Sequence, residues 1–591
     1  MPNELPDVVT PSSRLPRPAS ALRGVFREGY SFAKFRADLI AGVIVGIVAL
    51  PLSMALAIAV GMPPQNGLYT AIVAGGAVAV LGGSRVQVTG PTAAFVATLL
   101  PIVNHYGPGG LMIATLLAGV IEFAMGLARL GRLIQFVPYP VTTGFTAGIA
   151  VVIATGQIKD FLGLTGVASH EHYHETVVDL VRHVGTVHAA DAAVGVATLL
   201  LLVLLPRIVK RLPVPLLAVG GVAFATWLVQ RFAPSFDVMT IADRFHYQVD
   251  GKEIGGIPPW PPTFQWPWDA PGVDGRPFGV SWAVIRELMP SAVAIALLGS
   301  IESLLSAVAS DAMAGSKHDP DAELLAQGTG NLLAPLFGGF AATGAIARTA
   351  TNVRSGAVSP IASVVQAGFL LVAMIVLAPL LGELPLASMS ALLLVVAWRM
   401  SDVRHFRHVM RTAPRADILV LLTCFTLTVA FDMVVGVTGG FVLASMLFMR
   451  RIAEMTGTRL LRDHHPALRV PIPAGVLVYE IDGPLFFGAA EKAMTALHSI
   501  HKEARVLVLD LDAALVIDAT GLVNLQSVLD RMRRSRVPVI LSGLHMRVVP
   551  ELERAHVVDD GELLFLRNDL ESAIGLAGEL IALPATPASG S

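Results

Sequence analysis

The sequence predicts a helical membrane protein of fourteen spans in two sets of seven, followed by a small α/β domain. Three observations predict it. Apolar runs of about 20 residues, long enough to cross a bilayer, recur through roughly the first 450 residues. Of the 591 residues 54% are hydrophobic and 15% charged, with mean hydropathy +0.66; a soluble chain carries about a quarter charged. Beyond Arg451 the pattern changes to short β-rich runs alternating with helical ones.

The elements follow in order. Residues 1–36 are polar, Pro-rich and basic (Arg14, Arg17, Arg23, Arg27, Lys34, Arg36) and read as a cytoplasmic leader, with Leu22 to Phe35 an interfacial amphipathic segment. The transmembrane part is expected over 37–455, its two sets at about 37–232 and 282–450. Leu39 to Val60 is the first span, interrupted by Pro51, and Gly67 to Leu81 returns. Arg85 to Gly90 reads as strand and Pro91 to Asn104 as helix. Gly109 to Ala128, Val141 to Gly156, Ala189 to Leu205 and Val214 to Val229 complete the first seven. An acidic stretch, Arg231 to Gly279, carries Trp260, Trp266 and Trp268 among prolines, as a headgroup-level loop would. The second set runs through Ser291 to Ser310, Glu323 to Phe337, Phe340 to Arg354, Ser359 to Leu377, Pro385 to Trp398, Ile418 to Phe431 and Val434 to Met449. With this count every cluster of Lys and Arg falls on one side, which places both termini in the cytoplasm of a multi-pass inner (plasma) membrane protein.

Val88-Thr89-Gly90-Pro91-Thr92-Ala93 in the first set is echoed by Ala342-Thr343-Gly344-Ala345-Ile346-Ala347 in the second. An odd number of spans per set turns the second copy upside down. Interrupted spans at matching positions of inverted repeats point to a transporter binding site. A helix is expected to start at Pro91 and at Ala345, so two N-termini would face one another, each with free N–H groups and about half a positive charge. Arg348 lies one turn into the second half-helix, and an arginine at membrane depth costs at least ~2.5 kcal/mol. Ordinary Gly/Pro kinks would explain the breaks alone; they explain neither the repeat nor Arg348.

Glu302 is the other charge in an apolar run here. Two helix ends plus Arg348 sum to about +2, so an ionised Glu302 suits a monoanion and a protonated one a dianion. Glu302 is thereby the natural coupling group, unless it serves only to cap helix ends or pair with Arg348. Gln87, just before the first Thr-Gly, is a candidate neighbour of the site. His170 to Glu175 resembles a metal patch but reads as a solvated external loop, and Cys424, the single cysteine, excludes disulfides and cysteine-ligated metal within the chain. No cofactor, metal or nucleic-acid partner is expected. In the tail, Val476 to Ile481, Val506 to Leu511 and Val537 to Leu541 read as strands and Gly521 to Arg534 as helix, within a cytoplasmic domain at 465–585. Asp518-Ala519-Thr520-Gly521 would expose the Thr520 hydroxyl at a helix N-terminus, with an N-cap the equally simple role for Asp518 or Thr520.

Pro63 to Thr70, Val88 to Phe95, Gly299 to Asp311, Glu323 to Gly339 and Thr343 to Arg354 resemble the SulP (sulfate permease) anion transporters, and the tail resembles their STAS domain. The resemblance implies seven-plus-seven inverted repeats, a core moving against a gate, and a homodimer. Ile158 to Leu164, Thr343 to Pro360 and the LLFLRN run of the tail are most similar to the dicarboxylate-uptake (DauA-type) branch, which implies import of succinate, fumarate or aspartate. Arg348 matches the arginine lining the anion site in many members, while Ala345 and Ala347 stand where serine is common. Residues 89–93 and 343–348 would line the site. In sodium-coupled members, which lack that arginine, the positions of Glu302 and Ser306 hold sodium, so retaining Arg348 implies protons instead. Leu52 stands where some proton-coupled relatives carry a glutamate, leaving Glu302 for the task. Thr520 matches the phosphate-accepting hydroxyl of some STAS relatives and would be regulatory, through a cytosolic protein partner. The expectation is therefore proton-coupled uptake of C4-dicarboxylates, with sulfate or bicarbonate carriage as the alternative. A channel or voltage-responsive motor is a further class, a nucleobase carrier would leave Arg348 without a partner, and no catalytic triad or nucleotide loop supports an enzyme.

Overall fold

A computed structural model describes residues 17–132, 138–168, 170, 173–208, 213–233, 236–455, 457–461, 471–485 and 504–582. The chain forms two compact units, Met1–Phe441 and Val442–Ser591.

In the first unit α1 (Ser20–Arg27) is a short amphipathic helix, and α2 (Phe32–Val60) follows after a turn at Gly29. The amphipathic segment therefore ends at Arg27, and the first long helix begins at Phe32 rather than Leu39. It runs through Pro51 without a non-helical residue, against the expected interruption. Next come α3 (Pro64–Leu81), β1 (Thr89–Gly90) and α4 (Ala93–Leu127). A sharp break at Gly107, at φ 76° and ψ −178°, splits α4 into a half-helix and a full one. A side chain there would strike Gly272 and Val273 of the polar loop, so only glycine fits. The set ends with α5 (Tyr139–Leu162), the short α6 (Tyr173–Arg182), α7 (Ala189–Ile208) and α8 (Val214–Phe232).

The acidic loop is more ordered than its composition suggests. It holds a capped turn, α9 (Ile241–Arg244), and an antiparallel hairpin of β2 (His246–Val249) and β3 (Lys252–Gly255). Trp266 and Trp268 stack in it. The second set comprises α10 (Trp282–Ala314), α11 (Pro320–Leu333), β4 (Thr343–Gly344), α12 (Ile346–Arg354), α13 (Ile361–Gly382), α14 (Leu386–Ser401), the amphipathic α15 (Val403–Thr412), α16 (Arg415–Ala430) and α17 (Met433–Met455).

Counting α4 as two pieces, and leaving aside the short α1, α6, α9 and α15, each set contributes seven crossing elements. Among the described residues nine helices, α4 counted whole, are long and apolar enough to cross a membrane, and α11, α12 and α16 are shorter. Two groups of helices separate by their packing. α2, α3, α4 and α10 to α13 pack chiefly on one another, as a core. α5, α7, α8, α14 and α16 do the same, as a gate.

The second unit contains a five-stranded sheet: β5 (Gly457–Leu461), β6 (Val476–Asp482), β7 (Val506–Asp510), β8 (Val539–Ser542) and β9 (Leu564–Leu566), in that order. β5 pairs antiparallel to β6, and the remaining pairs are parallel. Leu507 and Leu509 point to one face, with α18 (Ala519–Arg534) and the small α19 (Val549–Arg554). Val506 and Val508 point to the other, against α20 (Leu570–Ala582). A sheet buried on both faces explains apolar runs without alternation, such as Val506 to Leu509. β5 and β9 were not expected, since β5 opens on Gly457, Thr458 and Arg459 and β9 is only three residues long, and β8 begins at Val539 rather than Val537.

Candidate functional site

The two Thr-Gly repeats meet. β1 and β4 pair antiparallel, Thr89 opposite Gly344 and Gly90 opposite Thr343. The ladder continues as the Ala345 amide donates to the Val88 carbonyl at 2.8 Å. Two residues of strand suffice because each copy is flanked by a residue that must stay extended. Thr92 sits at φ −123° and ψ 155°, so α4 starts at Ala93 rather than Pro91. Ala345 sits at φ −97° and ψ 100°, so α12 starts at Ile346. Pro91 is not a first-turn proline: its carbonyl is turned to Arg348, which a helical start would not permit.

Neither helix is capped by a side chain, since Thr92 and Ala345 at the N-caps make no capping bond. First-turn N–H groups of both helices are left for another acceptor. Arg348 is 2% exposed. Its Nη2 donates to the Pro91 carbonyl, and its Nη1 has no partner. A Cβ at Gly90 would lie 2.8 Å from that Nη1, so the glycine is what makes room for the guanidinium. Ile346 and Ala347 are exposed beside it. Together these give a buried fork with one open donor, next to two open helix ends, and such a set binds anions.

Glu302 lies half-buried on α10 and accepts from the Thr92 hydroxyl at 3.1 Å. Among the described residues no ion pair joins it to Arg348. Its neighbours on α10 hold the first repeat in place: Ser303 accepts from Gln87 Nε2 at 2.9 Å, and Ser306 is 3.3 Å from the Thr349 hydroxyl, which accepts from the Val88 amide. Gln87 thus braces the strand from behind. Ser306 is already engaged with Thr349. The predicted residues of both repeats, with Glu302, accordingly converge on one place.

Sequence reasoning missed the support behind β4. Gln327 and Asn331 of α11 both donate to the Ala342 carbonyl, and Asn331 Oδ1 accepts from the Ala342 amide at 2.8 Å. Glu122 of α4 accepts from Asn331 Nδ2 at 2.8 Å. The available signal was two amides, Gln327 and Asn331, four residues apart on one face of the helix.

Other candidates sit elsewhere. Glu171 and His172 lie outside the described residues. His170 and His183 share the Asp179 carboxylate, which the His170 bond and then the Ala168 amide hold below the usual carboxylate range. No cluster able to hold a metal occurs among the described residues. In the tail Asp518, not Thr520, caps α18, accepting from the Gly521 amide at 2.7 Å. Thr520 is exposed as the second helical residue.

Comparison with known proteins now decides the family. Residues 35–424 match the model of the sulfate permease family, and residues 467–573 match the STAS domain.

The chain belongs to the sulfate permease family.

It is an anion transporter of that family and a multi-pass membrane protein, not an enzyme. A Bacillus subtilis protein, YvdB, which carries the provisional name of a sulfate transporter, is 40% identical over 518 residues, covering 88% of this chain and 93% of that one. The bicarbonate transporter BicA of Picosynechococcus is 25% identical over 549 residues, covering 88% and 91%. In three dimensions the chain resembles murine Solute Carrier 26 family member A9 in its inward-facing state, with a TM-score of 0.82 at 18% identity over 95% of this chain and 94% of that one. That likeness is one of fold. The sulfate permease family is thus reached by sequence, while the pairing of the Thr-Gly strands and the burial of Arg348 come from the geometry itself.

Proposed function

We propose that the chain is a secondary active carrier that takes a small anion between the N-termini of α4 and α12, with Arg348 as its cation. One observation carries the reading: a fully buried guanidinium that keeps Nη1 open beside two uncapped helix ends. A small oxyanion, sulfate or bicarbonate, is the substrate class that the names of the relatives support. Import of a C4-dicarboxylate is the second reading, favoured by the likeness of 158–164 and 343–360 to the dicarboxylate-uptake branch.

Coupling is assigned to protons through Glu302. Its carboxylate reaches the Thr92 hydroxyl, one residue before the first turn of α4, so its charge is felt where the anion would sit. Ser306 already bonds Thr349, which leaves it less free to hold a cation. A homodimer with cytoplasmic termini, and regulation through Thr520 of the STAS domain, complete the proposal.

Purified protein in liposomes, given labelled sulfate, bicarbonate or fumarate with and without proton and sodium gradients, tests it. Uptake of one of these, stimulated by an inward proton gradient and absent in Arg348→Ala, is expected. Wild-type affinity in Arg348→Ala would remove the centre of the proposal.

A further inference from the structure

Glu122 is a carboxyl that the transport scheme above leaves unused. It lies in the second piece of α4, 0% exposed. The helices around it are in close contact. Cβ atoms at Gly119 and Gly126 of α4 would collide with the α11 backbone at Leu332 and Leu325, and one at Gly328 would collide with Phe123. Small residues here let the two backbones approach closely.

Its two oxygens touch two different supports of one strand. Oε2 accepts from Asn331 Nδ2, and the same amide bonds both the N–H and the carbonyl of Ala342. Oε1 has no hydrogen-bond partner and faces Gly299 of α10, where any side chain would collide with it. The Gly299 carbonyl in turn accepts from the Thr343 hydroxyl at 2.8 Å. Ala342 and Thr343 are the residues that lead into and begin β4. The carboxyl therefore orients the Asn331 amide on one side and packs against the Gly299 backbone on the other.

We infer that Glu122 is a positioning residue that, with Asn331, fixes β4 and so sets where the N-terminus of α12 and Arg348 meet the anion. It acts as a hydrogen-bond acceptor of the right shape. The Asn331 amide can satisfy Ala342 in both directions only when its Nδ2 is held on the carbonyl side, and Glu122 Oε2 holds it there. With the acceptor gone, only the two bonds to Ala342 hold the amide, so it braces the strand less firmly and the Gln327 bond to the Ala342 carbonyl is left as the other support. β4 is two residues long and its ladder is extended only by the Ala345 to Val88 bond, so little else keeps its register.

The affinity part of this inference rests on the anion site proposed above; the register of β4 does not. Two measurements separate them. Hydrogen exchange on the purified full chain, without substrate, reads the strand directly. In Glu122→Ala and in Asn331→Ala the peptide covering 340–345 is expected to exchange faster than in the wild type, and in Glu122→Gln, whose amide oxygen still accepts, at the wild-type rate. In liposomes, uptake of labelled sulfate and bicarbonate should show KM raised about tenfold in Glu122→Ala with a smaller change in maximal rate, and restored in Glu122→Gln. The double variant should be no worse than either alanine variant, because both remove one link. Unchanged exchange at 340–345 in both alanine variants would overturn the inference whatever is transported. So would a Glu122→Gln variant as impaired as Glu122→Ala, since charge rather than shape would then be at work. If exchange responds as expected while the wild type carries neither anion, the strand assignment stands and the oxyanion reading fails.

Discussion

Two charged side chains in this molecule are treated in opposite ways. Arg348, between the paired strands of the membrane unit, uses Nη2 on the Pro91 carbonyl and leaves Nη1 open while 2% exposed. Asp560, in the turn before β9 of the STAS domain, is fully engaged. Its Oδ1 accepts from the amides of Glu562, Leu563 and Leu564, and its Oδ2 from Arg533 at 2.7 Å. The second arrangement is what stability demands, for a buried or half-buried charge left short of partners raises the free energy of the fold. The first is tolerable only if something else completes it. On the proposed function an anion arriving between two uncapped helix ends would do so, and the carrier would then gain on binding what it gave up on folding.

The largest effect should come from removing the open charge. Arg348→Ala is expected to abolish uptake, at least a hundredfold, as loss of charge-assisted bonds worth about 3 kcal/mol implies. It should leave the unfolding temperature of the detergent-solubilised protein unchanged or higher, because a buried charge short of a partner has gone. A sharp fall in that temperature would mean that Arg348 holds the fold together and would break the contrast.

Gly90→Ala tests the same site with no change of charge. The new Cβ would lie 2.8 Å from Nη1 and 3.3 Å from Nη2, so the fork must shift off the Pro91 carbonyl. Affinity should fall about tenfold with little loss of protein. Gly344→Ala is its control, since that Cβ would meet the Gln87 side chain and the Ser303 backbone instead, behind the strand. It should reduce yield more than Gly90→Ala does and affinity less. Equal affinity losses in the two variants would show that Gly90 has no special relation to Arg348.

Glu302→Gln asks whether the neighbouring carboxylate is a coupling group or merely a bracket for Thr92. The amide oxygen still accepts the Thr92 bond, so position is kept and titration is lost. For a dianion the wild type should transport better as pH falls, because the protonated acid removes one negative charge from the site. The variant should hold the acidic-pH rate throughout, a change of a few fold at neutral pH. A pH profile unchanged from the wild type would assign coupling elsewhere.

How much of this was legible beforehand depends on how local each signal was. The Thr-Gly repeat, Arg348 and Glu302 stand out because each is a polar interruption of an apolar run, and their convergence follows from matched positions in two inverted sets. Span boundaries near the breaks were less legible. Pro91 has the residue type of a helix start, yet its carbonyl is taken by a side chain 257 positions away. Glu122 and Asn331, 209 positions apart, are the clearest case of hidden information. Each alone looks like a stray polar residue, and only the glycine-lined contact of α4 with α11 joins them. In the tail β6, β7 and β8 were readable from their apolar runs. β5 and β9 were not, because β5 carries Thr458 and Arg459 in its five residues and β9 has only three, and pairing with an established neighbour is what orders them.

The smallest effect concerns the satisfied charge. Burial alone would raise the Asp560 carboxyl, but the amides of Leu564, Glu562 and Leu563 and then Arg533 outweigh it and hold the group below its usual value of 3.8. A depressed folded value means that the stabilisation is fully present above about pH 4 and is lost as pH falls through and below that range. Asp560→Asn keeps an acceptor oxygen for the three amides and loses the Arg533 pair, whose partners are 50% and 29% exposed. The loss should therefore be modest, about 1 kcal/mol at pH 7, and should begin to shrink only as pH falls below about 4. All six tryptophans precede residue 399, so fluorescence would not report the tail. Hydrogen exchange of peptides covering 539–566, followed through a denaturant series, measures it instead. Transport should be unchanged. A loss of uptake at unchanged tail stability would show that the charge serves the carrier, and the division between an open functional charge and a closed structural one would not hold.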